Sequence, residues 1–250
     1  MWGFAQIASA WGAGRHSLST AALVTIGFAL LARLVRGVSV SGALAGAVVC
    51  FLLYLGTGPG GFIALVAVFA VTWAATKLGY RRKQTLGTAE PREGRRASQV
   101  LANLSVAAVC AVLYVFSGSG SKIYWLLAMA AALCEAAADT VSSELGQALS
   151  PKARLITTWQ EVPAGTDGGI SLAGSLAGAA AAVIISAVCV LVGLLPLKQM
   201  AIPAAAAMIG VAADSLLGAW LERRGLLNND AVNLLGTLIA AGAAVSIVGL

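Results

Sequence analysis

Residues 122–147 read Lys122-Ile-Tyr-Trp-Leu-Leu-Ala-Met-Ala-Ala-Ala-Leu-Cys-Glu135-Ala-Ala-Ala-Asp139-Thr-Val-Ser-Ser-Glu144-Leu-Gly-Gln147. The run begins as a membrane span and then carries Glu135, Asp139 and Glu144 with no basic residue between them. A carboxylate at the centre of a transmembrane helix costs roughly 2.5–3.5 kcal/mol on insertion scales. Three on one hydrophobic helix need partners or a ligand, and the rest of the chain has to be read for both.

The 250 residues are 59% hydrophobic and 10% charged, with a mean hydropathy of +0.89. A soluble domain carries about 25% charged residues, so the composition is that of an integral membrane protein. Apolar stretches at about 18–36, 39–57, 60–79, 97–117, 122–147, 169–195, 199–222 and 231–250 are each close to the ~20 residues a spanning helix needs. The expected fold is all-α: a polytopic membrane helix bundle of seven to eight transmembrane helices, forming a single transmembrane domain over 18–250. Residues 1–17, with Trp2 and Trp11, read as an N-terminal interfacial segment.

Basic residues sort the connections into two faces. Arg33 and Arg36, the stretch Lys77, Arg81, Arg82, Lys83, Arg92, Arg95 and Arg96, then Lys152, Arg154, Arg223 and Arg224 fall on one side. Arg15, Lys122 and Lys198 are left for the other. The positive-inside rule puts the basic face in the cytoplasm, in a multi-pass protein of the inner or plasma membrane if the cell is prokaryotic. The net charge of +6 thus reflects topology and does not call for a nucleic-acid partner. Cys50, Cys110, Cys134 and Cys189 lie in apolar runs without CxxC spacing, and His16 is the single histidine. That pattern argues against zinc, haem and iron–sulfur sites.

Depth follows from a rise of ~1.5 Å per residue. Asp139 and Asp214 each lie eight residues, or ~12 Å, from the cytoplasmic ends of their spans, and Asn103 lies six residues, or ~9 Å, into its own. Two carboxylates at one depth on different helices have three readings: helix orientation through hydroxyls or arginines, a magnesium site bridging phosphates, or an aspartyl dyad sharing a proton. The loop that follows favours the second. Pro163-Ala-Gly165-Thr166-Asp167-Gly168-Gly169-Ile-Ser171 is a glycine-rich turn placed to open the next helix, where free N–H groups and the helix dipole attract phosphate. A protease has no use for that cradle or for the adjacent Lys77, Arg81, Arg95 and Arg96, whereas phosphoryl transfer needs them all. Gln99 and Asn103 share a helix face by their i, i+4 spacing and suit hydroxyl or phosphate oxygens.

Taken in order, Ser41-Gly-Ala-Leu-Ala-Gly46, Lys77-Leu-Gly79, Gly94-Arg-Arg-Ala-Ser-Gln99-Val-Leu-Ala-Asn103, Ala138-Asp139-Thr-Val-Ser-Ser-Glu144-Leu-Gly146, Gly165-Thr-Asp-Gly-Gly-Ile-Ser171 and Asp214-Ser-Leu-Leu-Gly218 resemble one family over about 20–245. It is the family of multi-spanning membrane proteins that includes transmembrane protein 19 and the plant phytyl-phosphate kinase of the vitamin E pathway. The resemblance implies phosphorylation of an isoprenoid monophosphate to its diphosphate by a nucleoside triphosphate, with CTP favoured because related phytol and dolichol kinases use it. It also implies Glu144 as a functional acid.

The combined expectation is a membrane kinase whose partners are an isoprenoid monophosphate and the bilayer, with Mg²⁺ and the nucleotide as cofactors. Asp139, Asp214, Asn103, Lys77, Arg95 and Arg96 are its catalytic candidates. Gly165, Thr166, Asp167, Gly168, Gly169, Ser171 and Gln99 would bind the nucleotide, and Asp139, Glu144 and Asp214 the metal. The alternative function is a carrier or flippase for a phosphorylated lipid or small anion.

Overall fold

The alanine-rich helix with the three acids is the one against which most of the other helices pack. The structure, a computed structural model, describes residues 18–249, so the interfacial segment expected over 1–17 lies outside the described residues. Eight α-helices follow in order: α1 (Leu18–Leu34), α2 (Val40–Lys77), α3 (Tyr80–Leu86), α4 (Ala97–Phe116), α5 (Lys122–Leu149), α6 (Leu172–Leu191), α7 (Ala201–Leu217) and α8 (Asn229–Gly249). Strands β1 (Lys152–Leu155), β2 (Glu161–Pro163) and β3 (Gly169–Ile170) lie between α5 and α6. A short π-helical turn, Gly218–Glu222, extends α7.

Straight, the 38 residues of α2 would reach ~57 Å at 1.5 Å per residue, nearly twice the ~30 Å hydrocarbon core. The helix reverses instead. Gly58 sits at φ 69°, ψ −156°, a conformation only glycine enters freely, and Pro59 cannot donate to the preceding turn. The end of α2 thereby returns to its beginning: Trp73 Nε1 donates to the Val35 carbonyl at 3.2 Å. The spans expected at 39–57 and 60–79 are its two halves. Among the described residues six helices are long and apolar enough to cross a membrane and α1 is a shorter apolar one, roughly consistent with the seven to eight expected.

Within its most hydrophobic stretch α5 is 78% buried, against 28–44% for the other spanning helices. Alanine makes that enclosure possible. Residues 127–138 are all buried, and small side chains let helix backbones approach closely where no hydrophobic effect draws them together. α6 makes the closest approach. A Cβ on Gly174 would lie 2.5 Å from the Ser142 carbonyl oxygen, and one on Gly178 would lie 2.8 Å from that of Ala138.

One expectation about the glycine run needs correcting. It does not open directly into the next helix. β1 is the centre of an antiparallel sheet of order β2-β1-β3, pairing Arg154 with Glu161 on one side and Ile170 on the other. The run 165–169 is therefore the turn from β2 to β3. Gly165 and Gly168 have φ of 89° and 73°, outside right-handed helix. α6 starts three residues later than 169, with Ser171 as its N-cap: Oγ accepts from Gly174 N–H at 3.1 Å, the usual role of serine there.

Candidate functional site

Two cavities of opposite character flank α5 at the end of the bundle that carries the basic residues. The smaller, ≈ 130 Å³, is lined by Asp139, Ser142 and Ser143 of α5, by 164–171, by Asp214 and Glu222 at the end of α7, and by Asn229 and Asn233 of α8. Asp139 and Asp214, on helices distant in sequence, thus meet at one cavity with the whole glycine turn. Among the described residues its lining holds Asp139, Asp167, Asp214 and Glu222 and no Lys, Arg or His. Asp214 Oδ2 is shielded from solvent and has no hydrogen-bond partner among the described residues. An orphaned buried carboxylate oxygen is costly, and a proton, a water or a cation would each satisfy it.

Glycines bring the acids together. Gly210 of α7 and Gly236 of α8 leave the space that Glu135 fills: a Cβ on Gly236 would stand 2.5 Å from Glu135 Oε1 and 3.4 Å from Asp214 Cβ. Glu135 itself is 1% exposed, does not line the cavity, and leaves Oε1 without a partner among the described residues. The glycine turn rests on the π-helical turn, because Gly168 carries no Cβ to strike Ala219 N, 2.6 Å from where it would lie. Part of the turn's donor capacity is already used: Thr166 N–H donates to the Pro163 carbonyl and Gly169 N–H to that of Thr166. The cradle is narrower than a free helix N-terminus would be.

The larger cavity, ≈ 430 Å³, lies between α1, the two halves of α2, and α4. Phe28, Leu65, Val68, Phe69 and Leu104 form its walls, and Arg36, Lys77, Arg92 and Arg95 stand at its mouth with Gln99 and Asn103. Backbone pairing fixes Arg95. Ser39 N–H donates to the Arg95 carbonyl at 2.9 Å and Arg95 N–H to that of Gly37 at 3.2 Å. The approach is tight enough that a Cβ on Gly42 would fall 2.1 Å from the Arg95 oxygen. So held, Arg95 Nη2 reaches Thr140 Oγ1 at 3.2 Å, on the residue next to Asp139. Arg95 thus lines the larger cavity and bonds to the neighbour of a residue that lines the smaller one.

Over residues 23–241 the sequence matches the family described as integral membrane protein DUF92. The chain belongs to that family. It is 35% identical over 217 residues to "Protein VTE6, chloroplastic" of Arabidopsis thaliana, an alignment covering 83% of this chain and 65% of that protein. It is 33% identical over 220 residues to an uncharacterized membrane protein of Methanocaldococcus jannaschii, covering 87% and 88%. A Synechocystis uncharacterized membrane protein is 32% identical over 198 residues, covering 78% and 77%. The chain therefore spans just under two thirds of the plant relative's length and most of the other two. No solved structure matches it.

The residues singled out in the sequence divide between the cavities. Asp139, Asp214 and Gly165, Thr166, Asp167, Gly168, Gly169 and Ser171 line the polar one; Lys77, Arg95, Gln99 and Asn103 line the apolar one. Asn103, expected beside the aspartates on grounds of depth, is separated from them: its Nδ2 donates to the Gln99 carbonyl at 2.8 Å. Arg96 borders neither cavity and caps α4, where its N–H donates to Gln99 Oε1 at 2.8 Å. Glu144, named as a metal ligand, is turned from the aspartates and forms an ion pair with Lys83. Sequence reasoning missed Glu222, Asn229 and Asn233 of the polar cavity, for which only the i, i+4 spacing of the asparagines was a signal. It also missed Lys83, read as one more loop cation and in fact 0% exposed.

Proposed function

We propose that this protein is a membrane kinase that converts an isoprenoid (phytyl or prenyl) monophosphate to the diphosphate, with a nucleoside triphosphate of the CTP type and Mg²⁺, at the cytoplasmic face. The observation that carries this reading is the pairing of an apolar, basic-mouthed cavity with a polar, acid-lined one across a single helix, with Arg95 of the first bonded to Thr140, next to Asp139 of the second. The motifs that resemble the phytyl-phosphate kinase family fall on both.

In this reading the isoprenoid tail occupies the apolar cavity with its phosphate at Arg36, Lys77 and Arg95, and the triphosphate enters the polar cavity. Four carboxylates with no basic residue repel a triphosphate unless a divalent cation intervenes. The unpartnered Asp214 oxygen fits such an ion. Among the described residues no three His, Cys, Asp or Glu side chains form a ready metal centre. Mg²⁺ is usually bound by one or two carboxylates together with substrate phosphates. Asp139 and Asp214 would hold it, without Glu144. When bound, the ion neutralises charge on the transferring and leaving oxygens.

The chain's own residues supply the rest. Arg95 orients the acceptor phosphate against the wall of the polar cavity, and the glycine turn holds the donor with the backbone N–H groups it has free. An oxygen of the monophosphate bonds to the γ-phosphorus as the bond to the bridging oxygen breaks, and the nucleoside diphosphate leaves. The nucleophile is already anionic, so a site without histidine needs no general base.

The test is incubation of purified protein with γ-labelled CTP and a panel of prenyl monophosphates, with and without Mg²⁺. Magnesium-dependent label in a prenyl diphosphate is the expected result. Absence of product with every acceptor and nucleotide, together with movement of a phosphorylated lipid across vesicles, would replace the kinase by a carrier.

A further inference from the structure

A lysine enclosed in protein is costly unless each of its donors is filled. Lys83 fills all three: it pairs with Glu144 Oε2 and donates to the carbonyls of Ala75 at 3.2 Å and Thr76 at 2.8 Å. One ammonium thereby joins the end of α2, the short helix α3 and α5. Two further contacts lie on the same seam. Arg82 Nη1 donates to the Ala148 carbonyl at 3.2 Å, and Gly79, at φ 62°, packs where a Cβ would be 2.6 Å from that of Ala148.

What α3 connects gives the pair its meaning. Lys77 and Tyr80, just before it and at its start, line the mouth of the apolar cavity, as do Glu90, Pro91 and Arg92 beyond it. Thr88, between them, packs against the glycine turn that lines the other cavity: its Cγ2 lies 2.6 Å from where a Cβ on Gly165 would stand. Lys83 lines neither cavity. We propose that Lys83 is a positioning residue: its ion pair with Glu144 pins α3 to α5 and holds the mouth of the apolar cavity and the glycine turn of the polar cavity in one register. A buried ion pair is seldom more stable than an apolar pair of equal volume, so its use here is geometric. The consequence for turnover rests on the kinase reading; the pinning does not.

The experiment has a structural and a catalytic arm. In a variant with Cys50, Cys110, Cys134 and Cys189 replaced, Thr88→Cys and Gln147→Cys are joined with a short bis-maleimide, since both native side chains approach Gly165. Lys83→Met should lose most of the cross-link. In the protein with native cysteines, Lys83→Met should lower kcat by ~100-fold through misplacement, with KM for either substrate within ~3-fold. Lys83→Met/Glu144→Leu should melt like the parent and still show both losses. Wild-type cross-linking and kcat in either variant would overturn the proposal, and so would failure of both to fold, which would make the pair a stability element alone. A parent protein that cross-links but transfers no phosphate would sink the kinase reading and leave the cross-link to judge the pin.

Discussion

On one side of α5 an aromatic and aliphatic cavity opens at four basic residues; on the other a third of that volume is enclosed by four carboxylates and a glycine turn. The two are separated by one helix turn, since Ala136 lines the first and Asp139 the second. Their charges call for opposite partners. On the proposed reading the basic mouth would take an anion directly, with the apolar body of the same molecule below it, and the acid cavity would take one only through a cation. Two anionic substrates would then each meet their own neutralising charge, with Arg95 of the basic mouth reaching the residue beside Asp139.

The comparison breaks most sharply at the acids. Asp139→Asn and Asp214→Asn should each lower transfer by ~10³-fold or more, the upper range for loss of one electrostatic group at a reacting centre. Binding of a prenyl monophosphate, measured separately, should stay intact. Loss of lipid binding in these variants would mean that the cavities do not divide the substrates.

Arg95 is the next largest expectation because it belongs to both sides. Arg95→Ala should reduce kcat/KM for the lipid phosphate by ~10²-fold, split between a higher KM and a lower kcat. A change in KM alone would confine the residue to uniform binding at the mouth. A change in kcat alone would assign it to the transition state.

How much of this was legible in the sequence follows from what linear patterns encode. Hydrophobic runs gave the spans, and the gap between the stretches 39–57 and 60–79 falls where α2 reverses at Gly58 and Pro59. Depth came from residue counts, and the two aspartates set at one depth, Asp139 and Asp214, do line one cavity. Depth carries no azimuth, and so Asn103, at a similar level, was placed with them although it faces the other cavity. Glu144 follows Asp139 by five residues, well off its face of the helix. That spacing already turned it away from the aspartates, but only the fold of 79–96 reveals Lys83 as its partner. The strands are two to four residues long, too short for alternation to register, and they displaced the glycine turn from the helix it was expected to open.

Glycines on either side offer a reciprocal test at about ten-fold. A Cβ on Gly46 would meet only Val100 Cγ1, at 4.0 Å, so Gly46→Leu fits its own backbone and intrudes on the apolar cavity. It should raise KM for the prenyl phosphate ~10-fold and leave the nucleotide unaffected. Gly168→Ala does the reverse. Its φ of 73° and the 2.6 Å approach to Ala219 N force the turn to move, raising KM for the nucleotide ~10-fold without touching the lipid. Equal effects of both on both substrates would show one site where two are argued.

The smallest effect is expected at Arg36, and it sharpens the comparison because charge and backbone separate there. Arg36 is exposed at the mouth of the apolar cavity and holds φ 55°, a conformation that costs a non-glycine residue roughly 1–2 kcal/mol. Arg36→Gly therefore removes the charge while relieving the strain, and the melting temperature should hold or rise. A solvent-screened rim charge is worth up to about 1 kcal/mol, so KM for the prenyl phosphate should increase by at most ~5-fold, and by less as salt is raised. Arg95, half-buried and bonded to Thr140, should keep its larger effect in the same salt. If the two arginines responded alike, the mouth would be a diffuse basic surface, and the distinction between a charge that attracts the lipid phosphate and one that aims it would be lost.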